Sequence, residues 1–153
     1  MYKKVLVPLD GSTLAESVLP HVGSIAECCQ SEITFLRVVE PAIYSDSTHI
    51  LEWQALDRIN EENRKAADQY LTELLARVHY NSGEVHKVVI TGKPTDTITN
   101  YARQNDTDLI ILTTHGHSGV SRLVWGSVTD HILRMVGIPI LVIRPTGFTR
   151  ESG

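Results

Sequence analysis

DLIILTTHGHSGVSRLVWGSVTD, residues 108–130, opens on an apolar run, passes through three glycines and closes on Gly126-Ser127 where a helical pattern begins. A strand that is apolar on both faces needs helices covering both sides, which is the setting of a parallel sheet. Four other apolar runs recur along the chain, VLVPL at 5–9, ITFLRVV at 33–39, VHKVVI at 85–90 and IPILVI at 138–143, and most of the five read as continuous rather than alternating. Between the runs lie helical patterns at 13–30, 51–80, 94–104 and 127–136. Thr13 and Glu16 have the spacing of a capping box, and Pro94 suits a first helical position. Within 51–80, Leu56, Ile59, Asn63, Ala66, Ala67, Tyr70, Leu71, Leu74, Leu75 and Val78 recur at three- and four-residue steps, a stripe that would lie on the sheet.

The alternation predicts an α/β fold: a doubly wound five-stranded parallel sheet in the order 3-2-1-4-5, with helices on both faces. In that topology the chain reverses direction between strands 1 and 4, and ligands bind outside the carboxyl ends of the strands at this switch point. Two loops are thereby singled out, Asp10-Gly11-Ser12-Thr13 after the first strand and the glycine loop after the fourth.

Length and composition set the bounds. With 153 residues and 42% hydrophobic content, the chain fits one domain, expected over 1–145 with a tail at 146–153. Residues 40–50 form the one long polar loop, open to reading as a lid, a dimer clasp or a surface crossover, with the crossover expected. A net charge of −4 with interspersed signs offers no basic face for nucleic acid or an anionic membrane, so neither partner is expected. Cys28 and Cys29 are adjacent, a spacing that fits neither a metal knuckle nor a disulfide framework. The first apolar run is interrupted by Pro8 and Asp10, and no long apolar span follows, so a soluble cytoplasmic protein is expected.

Main-chain N–H groups freed by a glycine turn, joined by the unpaired N–H groups at the start of a helix, make an anion site without any charged side chain. Gly116, Gly119, Gly126 and Ser127 supply those parts. The Ser127 hydroxyl has two readings, a phosphate partner or a helix cap. Arg122, His115 and His117 are the nearby basic groups, so a polyphosphate held here calls for a divalent cation, Mg or Mn. Familiar nucleotide motifs are absent. Gly92-Lys93 is followed by Pro94, which excludes a P-loop, and Asp10-Gly11-Ser12 is not the start of a dinucleotide fingerprint. A phosphate-accepting receiver would need paired acids after strand 1 and an aspartate after strand 3, where the chain has Asp10 alone and Thr91-Gly92-Lys93.

From residue 2 to 145 the chain resembles the universal stress protein family: VLVPLDGS, FLRVVEP, GKPTDTITNYARQNDTDLIIL and THGHSGVSRLVWGSVTDHILRMVGIPILVIRP carry the likeness. The ATP-binding branch of that family has G-2x-G-9x-G-S/T; here Thr113, Gly116, Gly126 and Ser127 occupy those positions, with Thr113 replacing the first glycine. The resemblance implies a pocket for ATP, or for AMP or ADP. By it, Pro8 and Asp10 belong to the adenosine side, and the main chain of Val38 reads the adenine edge. Leu112 and Thr113 flank the ribose, Gly116 begins the phosphate turn, and Gly126, Ser127 and Val128 close it. Each position also has a plainer reading: a cap for Asp10, core for Val38, a strand end for Thr113.

Hydrolysis needs a group to orient water and cations to neutralise the transferring phosphoryl group, and no set of side chains is arranged for that. No catalytic residue is assigned, and a nucleotide-binding stress regulator is expected rather than an enzyme. The alternatives are an interaction protein of the same fold that binds no nucleotide, for which Thr113 is the warning sign, and a slow ATPase or phosphotransferase. The apolar last strand, 138–143, is a template for pairing at a sheet edge, and family members pair there as homodimers.

Overall fold

The computed structural model describes residues 1–43, 50–81, 83–114 and 126–145. The turn around Gly116, the loop at 44–49 and the tail from 146 lie outside the described residues. In chain order the elements are β1 Lys4–Pro8, a 3₁₀ turn Ala15–Val18, α1 Leu19–Cys29, β2 Glu32–Val39 and α2 Ile50–Arg77. Then follow β3 Val85–Thr91, α3 Pro94–Gln104, β4 Leu109–Thr113, α4 Ser127–Met135 and β5 Ile140–Ile143. All five strands are parallel and run in the expected order β3-β2-β1-β4-β5.

Alternate residues of each strand feed opposite faces, and each face has its own core. Val5, Val7, Ile33, Phe35, Leu109 and Ile111 pack against α1 and the second half of α2 through Val22, Ala26, Leu71 and Leu74. Leu6, Leu36, Val38, Ile110 and Leu112 pack against α3 and α4 through Ile98, Ala102 and Ile132. This double cover is why the strand sequences read as continuous apolar runs.

Two expectations are corrected. The helix at 13–30 is divided, because Pro20 has no N–H to continue an i→i−4 ladder; the chain turns tightly over Ala15–Val18, where the Leu19 N–H donates to the Glu16 carbonyl, and α1 proper starts with Pro20 in its first turn. The capping box at Thr13 and Glu16 does not form. Ser12 caps instead, its Oγ accepting from the Ala15 N–H at 3.1 Å. The Glu16 carboxylate accepts from the Tyr70 hydroxyl at 3.1 Å and from Arg77 Nη2 at 3.1 and 3.2 Å, tying the turn to α2. Burial, reinforced by Glu16, holds the Tyr70 phenol above its ordinary range, so it remains a donor.

The stripe on α2 meets the sheet over only part of its length. Leu56, Ala67, Leu71 and Leu74 are buried, whereas Ile59, Asn63 and Ala66 are exposed. The cause is length: 28 residues make a helix of about 42 Å, against roughly 26 Å for the eight-residue β2. The helix overshoots the carboxyl edge of the sheet and so builds one wall of a cleft there.

Candidate functional site

At the switch point between β1 and β4 a cavity of about 790 Å³ opens over the carboxyl ends of the strands, within the range of small-molecule sites. Pro8, Asp10, Val38, Leu112, Thr113, Gly126, Ser127 and Val128 all line it. Gly116 lies outside the described residues. Four separate segments, the ends of β1, β2 and β4 and the start of α4, are therefore brought to one concavity, and each contributes a different group.

The β1 end supplies the floor. Pro8 closes the strand, and Gly11 takes φ +86, a left-handed conformation that turns the chain toward α1 at little steric cost. Asp10 Oδ1 accepts from both the N–H and the hydroxyl of Ser12, at 2.9 and 2.6 Å, and Ser12 in turn caps the following turn. Asp10 thus both faces the cavity and holds up a cap. Ser12→Ala should cost about 1 kcal/mol of unfolding free energy, measured by chemical denaturation. Asp10→Ala should cost at least as much, and only Asp10→Ala removes a carboxylate from the cavity wall.

The β2 end supplies main-chain groups. The Leu9 N–H donates to the Leu36 carbonyl at 2.9 Å, and the Gly92 N–H to the Val39 carbonyl at 2.9 Å. In a parallel ladder a residue turns both of its main-chain groups toward the same neighbour. Leu36 faces β1 and Val39 faces β3, so Val38 turns its N–H and C=O toward β1 at a level where β1 has already ended. A donor and an acceptor side by side therefore address the cavity. The Val38 side chain itself is core, 6% exposed.

The β4 end and α4 are stapled together. Thr113 and Leu112 are buried, and the Thr129 hydroxyl donates to the Thr113 carbonyl at 2.9 Å. The chain leaves the described residues at Thr114 and re-enters at Gly126, where the Gly126 N–H donates to the Thr114 carbonyl at 2.8 Å. Both ends of the glycine loop are thereby pinned at one point on the cavity rim. Gly126 occupies the N-cap position of α4, Ser127 the first helical position and Val128 the second. The cap reading of Ser127 is set aside: its exposed hydroxyl has no hydrogen-bond partner among the described residues. The amino end of α4, with its unpaired N–H groups and positive dipole, faces the cavity.

Among the further lining residues that the sequence did not mark out for the site, three carry charged or amide side chains: Arg37 and Glu40 on and after β2, and Asn63 on α2. Arg37 was a charge inside an apolar strand and Asn63 an amide inside an apolar helical stripe; both anomalies were the available signals. Asp10 and Glu40 are the acids of the cavity wall, and Arg37 is its basic side chain among the described residues. Also among the described residues, no group of three His, Cys, Asp or Glu side chains could hold a metal ion, and no helix is long and apolar enough to cross a membrane.

The family model of the universal stress protein family matches residues 1–144. The chain belongs to the universal stress protein family. A universal stress protein of Methanocaldococcus jannaschii is 24% identical over 144 residues, covering 94% of this chain and 83% of its own. Among solved structures, UspA of Lactobacillus plantarum superimposes with a TM-score of 0.77 at 25% identity, covering 94% of this chain and 98% of that one. A family member from Arabidopsis thaliana, solved with AMP bound, shares the fold with a TM-score of 0.58 at 17% identity, covering 95% and 93%. Membership accounts for the shared architecture; what this chain's own cavity takes up depends on the groups that face it.

Proposed function

We propose that this universal stress protein binds ATP or a related adenine nucleotide in the switch-point cavity and acts as a homodimeric stress-response regulator. The observation that carries the reading is the placement of the Val38 N–H and C=O opposite the amino end of α4 across one cavity. The first pair matches a purine edge, which offers an acceptor beside an amine donor; the second matches a phosphate. Asp10 and Pro8 lie between them, where a ribose would sit, with Leu112 and Thr113 on its other side. Gly116, Gly126, Ser127 and Val128 would enclose the phosphates. AMP in the Arabidopsis relative supports the same class of ligand.

Among the described residues the cavity wall carries two carboxylates, Asp10 and Glu40, against the one guanidinium of Arg37, so a triphosphate calls for a divalent cation. The Asp10 carboxylate and the Ser127 hydroxyl are hard oxygen donors of the kind Mg or Mn takes. Such a cation would neutralise phosphate charge; the protein's own groups bind and orient. Occupancy rather than turnover is the proposed signal. β5 is a half-exposed apolar edge strand, and the proposed dimer pairs it with its two-fold mate.

A second reading, a member of the fold that acts through protein contacts alone, draws on Thr113, whose side chain stands where the nucleotide-binding pattern has glycine. Denaturing the purified protein and identifying any released small molecule by mass spectrometry separates the two. Adenine nucleotide in the supernatant, with a dimer by light scattering, is the expected result. A protein that releases none and shows no heat on titration with ATP or AMP, with or without Mg, would favour the contact-only reading.

A further inference from the structure

The Val38 carbonyl, which faces the cavity where β1 has ended, is not left to a ligand alone. Arg37 Nη1 donates to it at 2.9 Å. The rest of the guanidinium leans over the loop after β1, with Nε 3.8 Å from where a side chain at Gly11 would begin. Arg37 is partly buried and lines the cavity, yet it makes no ion pair among the described residues. A partly buried arginine with no carboxylate partner among the described residues, fixed beside a main-chain acceptor, leaves N–H groups for whatever enters.

We propose that Arg37 sets the base selectivity of this pocket, admitting 6-oxopurine nucleotides alongside adenine nucleotides. The inference rests on the nucleotide reading given above and refines it. A carbonyl oxygen has two lone pairs, so the Val38 oxygen that accepts from Arg37 can still accept from a 6-amino group. A 6-oxo group would instead meet two acceptors face to face at that oxygen, an unfavourable contact. The guanidinium removes the conflict, because its fork pairs readily with the O6 and N7 acceptors of an oxopurine. The wall therefore presents an acceptor for one base and donors for the other within the reach of one side chain. Without Arg37, the Val38 oxygen is the group left facing position 6 among the described residues, and the 6-amino base is favoured.

ATP and inosine triphosphate carry the same ribose and triphosphate, so the ratio of their affinities isolates the base edge from any general effect of charge. Calorimetric titration of both nucleotides, with Mg, into wild type, Arg37→Met and Arg37→Lys tests the proposal, with thermal unfolding to verify the fold. Wild type should bind the two within roughly fivefold of each other, and Arg37→Met should shift the ratio toward ATP by about tenfold, the worth of one charge-assisted hydrogen bond. Arg37→Lys, which retains the charge but not the fork, should recover only part of that shift. A ratio unchanged in Arg37→Met, or a wild type that binds ATP and refuses inosine triphosphate, overturns the proposal while leaving the nucleotide reading standing. A wild type that binds neither overturns both.

Discussion

Phe35→Ala is expected to lower the unfolding free energy by about 3–5 kcal/mol, a large share of the 5–15 kcal/mol that holds a domain together. Phe35 sits on β2 near the middle of the sheet, wholly buried, and is the largest side chain in the core that α1 and α2 cover. Its ring lies 6.4 Å from that of Tyr80, tilted by 38°. Tyr80 is itself anchored, its hydroxyl donating to the Leu19 carbonyl at 3.2 Å, and burial pushes its phenol up to about 12. Truncation would leave a cavity lined by rigid neighbours on a central strand, where collapse is difficult. Urea denaturation should show the midpoint falling with the slope preserved. A loss below about 1 kcal/mol would mean that this face of the sheet is packed more loosely than described.

Gly126→Val is expected to reduce ATP affinity by about 100-fold, equivalent to roughly 2.8 kcal/mol. Glycine is not needed there for its backbone angles: φ −52 and ψ 146 are open to any residue. Space is the constraint. A Cβ would stand 3.1 Å from the Thr114 carbonyl oxygen, the same oxygen that accepts from the Gly126 N–H. Alanine can be fitted by a shift of a few tenths of an ångström. The branched valine side chain must instead project into the cavity or push α4 off β4, and either displaces the N–H groups proposed to hold phosphate. Calorimetric titration, with thermal unfolding alongside, checks the point. Unimpaired ATP binding by a folded Gly126→Val protein would place the phosphates elsewhere.

The sheet was readable because its burial is written into the sequence. Strands such as 109–113, apolar on both faces, have one common explanation, and right-handed crossovers then leave little freedom in strand order. The topology singled out the loops after strands 1 and 4, and Ser127 with them; Pro8, Val38 and Leu112 were marked by the family resemblance, and all four line one cavity. What the sequence concealed was local competition. Pro20 fits a first helical turn well, yet it also prevents the residues before it from joining the same helix. Ser12, Thr13 and Asp10 are all capable of capping, and the choice of Ser12 depends on where Gly11 turns the chain. Arg37 was hidden differently: a strand pattern shows which face a residue is on but not how far beyond its neighbour the strand extends. The free edge of Val38, and the arginine beside it, exist because β2 outruns β1 at the switch point.

The central claim is that main-chain groups at the end of β2 and the start of α4 hold opposite ends of one adenine nucleotide. The most direct measurement is a two-dimensional amide NMR titration of the isotope-labelled protein with ATP and Mg. Saturable shifts are expected at Val38 together with Thr113, Ser127 and Val128, while amides at the amino ends of the strands, such as Lys4 and Leu109, stay still. Spectra unchanged at millimolar nucleotide, or shifts gathered away from the β1–β4 switch point, would contradict it.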